Sequence, residues 1–132
     1  MNLLELHDST LSSIAVTTDL AVLTLRPAII HRCAGRPGID AGTCWTQDAG
    51  LTIVHPSHSP LPENLPSDIS DGDVRACGEI YRNGFPAPTV LTGAIELRLV
   101  LVTAEPFTVR GETLTVKLIG ARKFLDNFPG SA

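Results

Sequence analysis

The sequence predicts an all-β protein, a single-domain antiparallel β-sandwich or partly open barrel of about six to eight strands with a short helical turn at the C-terminus. Three observations predict it. Apolar residues recur at every second position through much of the chain, the period of a strand with one buried face. Turn-forming Gly, Pro, Asn and Asp interrupt these runs about every ten residues. No amphipathic stretch long enough for a crossover helix separates the runs, which excludes a parallel α/β sheet. At 132 residues the chain has the length of one domain and can bury its own core.

The elements follow in order. "STLSSIAVTT" (9–18) and "LAVLTLRPAII" (20–30) are separated by a turn and read as an opening hairpin, with Ala21, Leu23 and Leu25 on one face. Pro27 removes a ladder donor, so this strand bends there or runs along an edge. "GRPGIDAG" (35–42) is loop chemistry, and "TCWTQDAGLTIV" (43–54) is the next extended run. Residues 55–73 read as a long, proline-rich, acidic loop. Asp71-Gly72 reads as a turn with positive φ at Gly72 into "DVRACGEIY" (73–81), and "RNGFPAP" breaks the chain again. "TVLTGAIELRLVLVT" (89–103) is the clearest strand, with Ile95, Leu97, Leu99 and Leu101 opposite Glu96 and Arg98. Arg110-Gly111 can turn the chain into "ETLTVKLIG", where Leu114, Val116 and Leu118 share a face. In "ARKFLDNF", Phe124 and Phe128 stand at i and i+4, the spacing of a helical turn, followed by Pro129 and Gly130 as a stop.

The net charge is −4, and the excess lies in one place: Glu63, Asp68, Asp71 and Asp73 fall in the 55–73 stretch, which holds no lysine or arginine. The remaining acids and bases balance, which leaves no net-basic stripe of the kind that tracks phosphates and argues against nucleic acid. No apolar run approaches the about 20 residues of a membrane helix. The first residues carry an acid and no basic n-region, so no secretory signal is expected. Three cysteines, an odd number, suit a reducing compartment. These observations predict a cytoplasmic protein.

The strongest candidate for chemistry is "HPSHSPLPE", in which His55, His58 and Glu63 could hold zinc, iron or manganese. It departs from the cupin pattern, because H-x-x-H in extended chain places the imidazoles on opposite faces and Pro56, Pro60 and Pro62 resist a ladder-bonded strand. A stiff surface loop is the simpler reading, with no cofactor required. His31, Cys33 and Cys44 lack the paired spacing of structural zinc sites, and buried small cysteines explain Cys33, Cys44 and Cys77 more simply. "SDISDGD" fails as a calcium loop, since Ser67 and Ile69 fall where acidic ligands belong. "GRPGIDAGT" has no P-loop lysine and no following helix. His7, Asp8 and Ser9 are adjacent, and neighbouring side chains on a strand diverge, so they form no triad. Trp45 and Tyr81 could form a small ligand or partner surface.

The opening "LHDSTLSSI" resembles the start of several small bacterial all-β proteins, some of them immunity-type partners of toxins. The resemblance covers about ten residues and implies a single β domain in a bacterial cytoplasm, with no catalytic residues attached. The sequence as a whole points to a non-enzymatic domain that binds a protein partner or itself as a homodimer. What motivates this is an outer face that mixes Val22, Val100 and Val102 with Thr24, Arg26, Glu96 and Arg98. A cupin-like barrel using the 55–63 segment, with His31 from a facing strand, and a phage or secretion structural subunit are the alternatives.

Overall fold

The computed structural model describes residues 2–33, 41–103 and 105–128, with Phe128 described by its backbone alone, and every regular element in it is a strand. In chain order these are β1 (Asn2–Glu5), β2 (Thr10–Val16), β3 (Leu20–Cys33), β4 (Gly42–Val54), β5 (Ser57–His58), β6 (Ser67–Ala76), β7 (Glu79–Arg82), β8 (Gly84–Pro86), β9 (Thr89–Leu101) and β10 (Phe107–Phe128). All of the pairings are antiparallel. The hydrogen bonding runs β2–β6–β9–β10–β4–β3 and returns from β3 to β2, a closed circuit of strands. Beyond β3 the sheet continues through β1 to β8, while β7 pairs with β6 and β5 with β10.

The long strands β3, β4 and β10 take part in two levels. In the first level, β3 pairs with β2 from Leu25 back to Ala21; in the second it pairs with β1 from Ile29 to Arg32. β1 and β2 therefore lie end to end along one edge of β3. The break between the levels is written in the registers. β3 slips against β4 between Leu25 and Ala28, and β10 slips against β4 between Ile119 and Lys123. The first slip contains Pro27, whose missing N–H makes a regular ladder impossible at that point. The slips face neighbouring residues of β4: Arg26 and Pro27 face Asp48, and residues 120–122 of β10 face Gln47. Arg26 Nε lies 3.2 Å from Asp48 Oδ2 on one side, and Gln47 Nε2 donates to the Gly120 carbonyl at 2.7 Å on the other.

At the same level Ser9 fills the gap between β1 and β2. It is fully buried, its hydroxyl donates to the Glu5 carbonyl at 2.6 Å, and it accepts from Ile29 N–H at 2.9 Å. That N–H follows the β3 slip and takes the hydroxyl as its partner, which meets the demand that buried backbone donors be paired. Asn83, in a left-handed conformation at φ 61, works similarly: its carbonyl accepts from Leu6 N–H, its Oδ1 from His7 N–H, and its own N–H donates to the Gly72 carbonyl.

The predicted alternation describes the core. Ala21, Leu23, Leu25, Ile95, Leu97, Leu99, Leu101, Leu114 and Val116 are buried, joined by Phe85 and Phe107. Each large side chain so buried stabilises the fold by about 1.5–3 kcal/mol before entropy is counted.

The sheet has ten strands among the described residues where six to eight are predicted, the added ones being short, and four further expectations are corrected. Residues 121–128 are not helical: they continue β10, where Lys123 opposes Thr46 and Phe124 opposes Trp45. A spacing of four is an even number, so phenylalanines at i and i+4 occur in a strand as readily as in a helical turn, and the two slips in register hide the alternation that would tell them apart. The predicted stop at Pro129 and Gly130 lies outside the described residues. The 55–73 loop is much shorter than read, since β5 occupies Ser57–His58 and β6 begins at Ser67. What remains folds back, with Leu61 and Leu65 packed against the core and Glu63 exposed.

Asp71-Gly72 lies inside β6 beside a register shift and makes no turn. Gly72 is required there because a Cβ would stand 2.8 Å from Leu6 Cδ1 and 2.9 Å from Leu99 Cδ2. The turn comes later, at Cys77-Gly78, with φ of 48 and 82. Arg110-Gly111 likewise lies inside β10, where a Cβ on Gly111 would stand 2.6 Å from the Val54 carbonyl oxygen. No helix among the described residues is long and apolar enough to cross a membrane.

Candidate functional site

The residues proposed for a metal go to three different tasks. His55 follows the end of β4 with φ 51, and its Nδ1 lies 2.8 Å from Glu112 Oε2. Hydrogen bonding to that carboxylate, and then its charge, hold the imidazole pKa above the ordinary histidine value. His58, in β5, donates from Nδ1 to the Ser59 carbonyl at 2.7 Å, and Glu63 is exposed on the loop. His31 lies on the second level, its Nε2 3.0 Å from Glu5 Oε2. Among the described residues no group of three or more His, Cys, Asp or Glu side chains is placed to hold a metal ion.

Cys44 sits opposite His31 on β4. Burial pushes its thiol pKa up, and the charges of Glu5 and Asp126 push the same way, against a weaker opposing backbone hydrogen bond. A thiol kept protonated in this way is a poor nucleophile. Contrary to the expectation of three buried cysteines, Cys33 and Cys44 are only partly buried and Cys77 is exposed, its Sγ donating to the Thr92 carbonyl.

On the outer face of β7, β6, β9 and β10, arginines alternate with carboxylates across the strands. Asp73 opposes both Arg82 and Arg98, and Glu96 opposes both Arg75 and Arg110. A recess of about 380 Å³ opens beside Arg75, Cys77, Glu79, Glu96 and Arg110. Two guanidiniums and two carboxylates line it, so it offers no net charge to an ion.

Trp45 and Tyr81 lie on strands that do not pair, β4 and β7. Tyr81 is half-buried against the core. Trp45 belongs to a different arrangement, one the sequence reading missed. Its ring meets Phe124 edge-on at 5.3 Å between centroids, Arg122 stands 4.9 Å over it, and its Nε1 donates to Thr43 Oγ1 at 2.7 Å.

Phe124 belongs to the part of β10 that extends past its other neighbour. β9 pairs with β10 only as far as Val116, so from Lys117 to Phe128 no strand among the described residues pairs with that side. This open edge carries large exposed side chains: Ile119 at 45% exposure, Phe124 at 53% and Leu125 at 56%. A groove of about 330 Å³ lies across β3, β4 and β10 at the two register slips, lined by Arg26, Gln47, Asp48, Ile119 and Lys123 among others. No alternation in "GARKFLDNF" signals this strand, because the skipped residue at Leu125 puts Phe124 and Asn127 on one face and Lys123 and Asp126 on the other. Compared with known protein families, with curated proteins and with solved structures, the chain matches none.

Proposed function

We propose that the protein is a non-enzymatic interaction domain that associates with itself, using the closed strand circuit as a small, side-chain-filled barrel and the C-terminal half of β10 as the docking element. The observation that carries this reading is the open edge from Lys117 to Phe128, with Ile119, Phe124 and Leu125 exposed along it. A strand edge offers a row of unpaired N–H and C=O groups, and apolar side chains beside it add area to bury. The bulges at 120–122 and at Leu125 bend this edge. Such bends discourage unlimited edge-to-edge growth and favour one defined partner. The thiols of Cys44 and Cys77, neither in a disulfide, fit a reducing compartment.

The test is the molar mass in solution over a wide concentration range, by light scattering coupled to size exclusion. The wild-type chain is expected to run as a dimer and Phe124→Glu/Leu125→Glu as a monomer with unchanged circular dichroism. A wild-type chain that stays monomeric at the highest concentration sinks the reading.

A further inference from the structure

The second level of the sheet has two ends, β8 and β10. β8 is short and contains Pro86, which has no N–H to give, so β10 is the end able to accept a strand. When two copies join through the same edge, only an antiparallel pairing about a two-fold axis closes as a dimer. Residues directly opposite in an antiparallel pair point to the same face. The register between copies is then constrained by which side chains of β10 share a face.

Lys123 opposes Thr46 and Asp126 opposes Cys44, two positions of β4 that lie on one face, so Lys123 and Asp126 share that face. Phe124 lies on the other, against Trp45. Leu125 has no partner on β4, because the register passes from Phe124 directly to Asp126. Neither Lys123 nor Asp126 makes an ion pair among the described residues. Registers that set Lys123 against Lys123, or Asp126 against Asp126, place like charges directly opposite each other.

We infer that the second copy adds to β10 with Lys123 opposite Asp126 of that copy. By the two-fold axis this pair forms twice. The same register sets Phe124 opposite Leu125 of the second copy, also twice, and joins two exposed apolar side chains at the centre. Arg122 then faces Asn127, which leaves the guanidinium stacked over Trp45 undisturbed. The edge is thus self-complementary in charge on one face and in apolar area at its centre.

This inference rests on self-association through β10 and is tested separately from it. Lys123→Asp, Asp126→Lys and the Lys123→Asp/Asp126→Lys double variant are compared with wild type by sedimentation velocity. All are exposed substitutions, and thermal melts followed by circular dichroism check the fold. Each single variant is expected to raise the dimer dissociation constant by roughly tenfold, because two attractive pairs become repulsive. The double variant is expected to return close to wild type. A wild-type dimer indifferent to the single substitutions, or a double variant as weak as the singles, overturns the register and leaves the edge as the interface. A monomeric wild type overturns both.

Discussion

At the scale of single residues, the histidines that looked chemical turn out to be held by separate partners rather than gathered into a site. His55 is the clearest case. Its contact with Glu112 favours the charged imidazole, so its pKa in the folded chain is raised. A raised value means the contact stabilises the fold fully below the unfolded-state pKa and loses that contribution as pH rises through the folded value. Both side chains are well exposed, which keeps the effect small. Proton NMR titration of His55 is expected to give a midpoint above the ordinary histidine value, and Glu112→Gln to return it. An unshifted midpoint in the wild type would show that solvent dissolves the contact. The sequence brought His55 forward for its neighbour at position 58, whereas its partner is 57 residues away on β10.

At the scale of elements, the informative places are where strands break. Residues 2–16 line β3 as two strands because the chain must detour around the Arg26–Pro27 slip, and Ser9 closes the detour. Ser9→Ala would leave Ile29 N–H buried without its acceptor, at a cost of about 1–3 kcal/mol. Urea denaturation should show the midpoint falling with the slope unchanged. A variant as stable as wild type would mean that another acceptor reaches Ile29. The tail teaches the same lesson from the other direction. Its two phenylalanines fit a helical turn by spacing, yet the edge of β4 stood ready to pair with it, and ladder formation with an existing strand outweighs weak local propensity. Glycines misled for a related reason. Asp71-Gly72 and Arg110-Gly111 are good turn dipeptides, but both glycines serve close approach within strands, to Leu6 and Leu99 in one case and to Val54 in the other.

At the scale of the whole molecule, β3, β4 and β10 each run through both levels, so neither level can unfold without severing strands of the other. Trp45 lies in the second level, while most strand hydrogen bonds close the first. Unfolding curves from Trp45 fluorescence and from far-ultraviolet circular dichroism are therefore expected to superimpose. Separate transitions would show the second level melting alone. Continuity also explains why the open edge is a stable platform: its strand is anchored in the core by Leu114 and Val116 before it leaves the circuit.

The sequence by itself determined the all-β class, the inward faces of β3, β9 and β10, the irregularity at Pro27 and the opening hairpin. Alternation and proline geometry are local properties, and local properties survive in any tertiary setting. Only the tertiary structure decided the closed strand circuit, the short course of the 59–66 loop, the partners of His31 and His55, and the open edge of β10. Each of these depends on register between strands far apart in the chain, and a slip of one residue exchanges the two faces. The slips at Arg26–Pro27, at 120–122 and at Leu125 set which side chains meet, and no single segment carries that information.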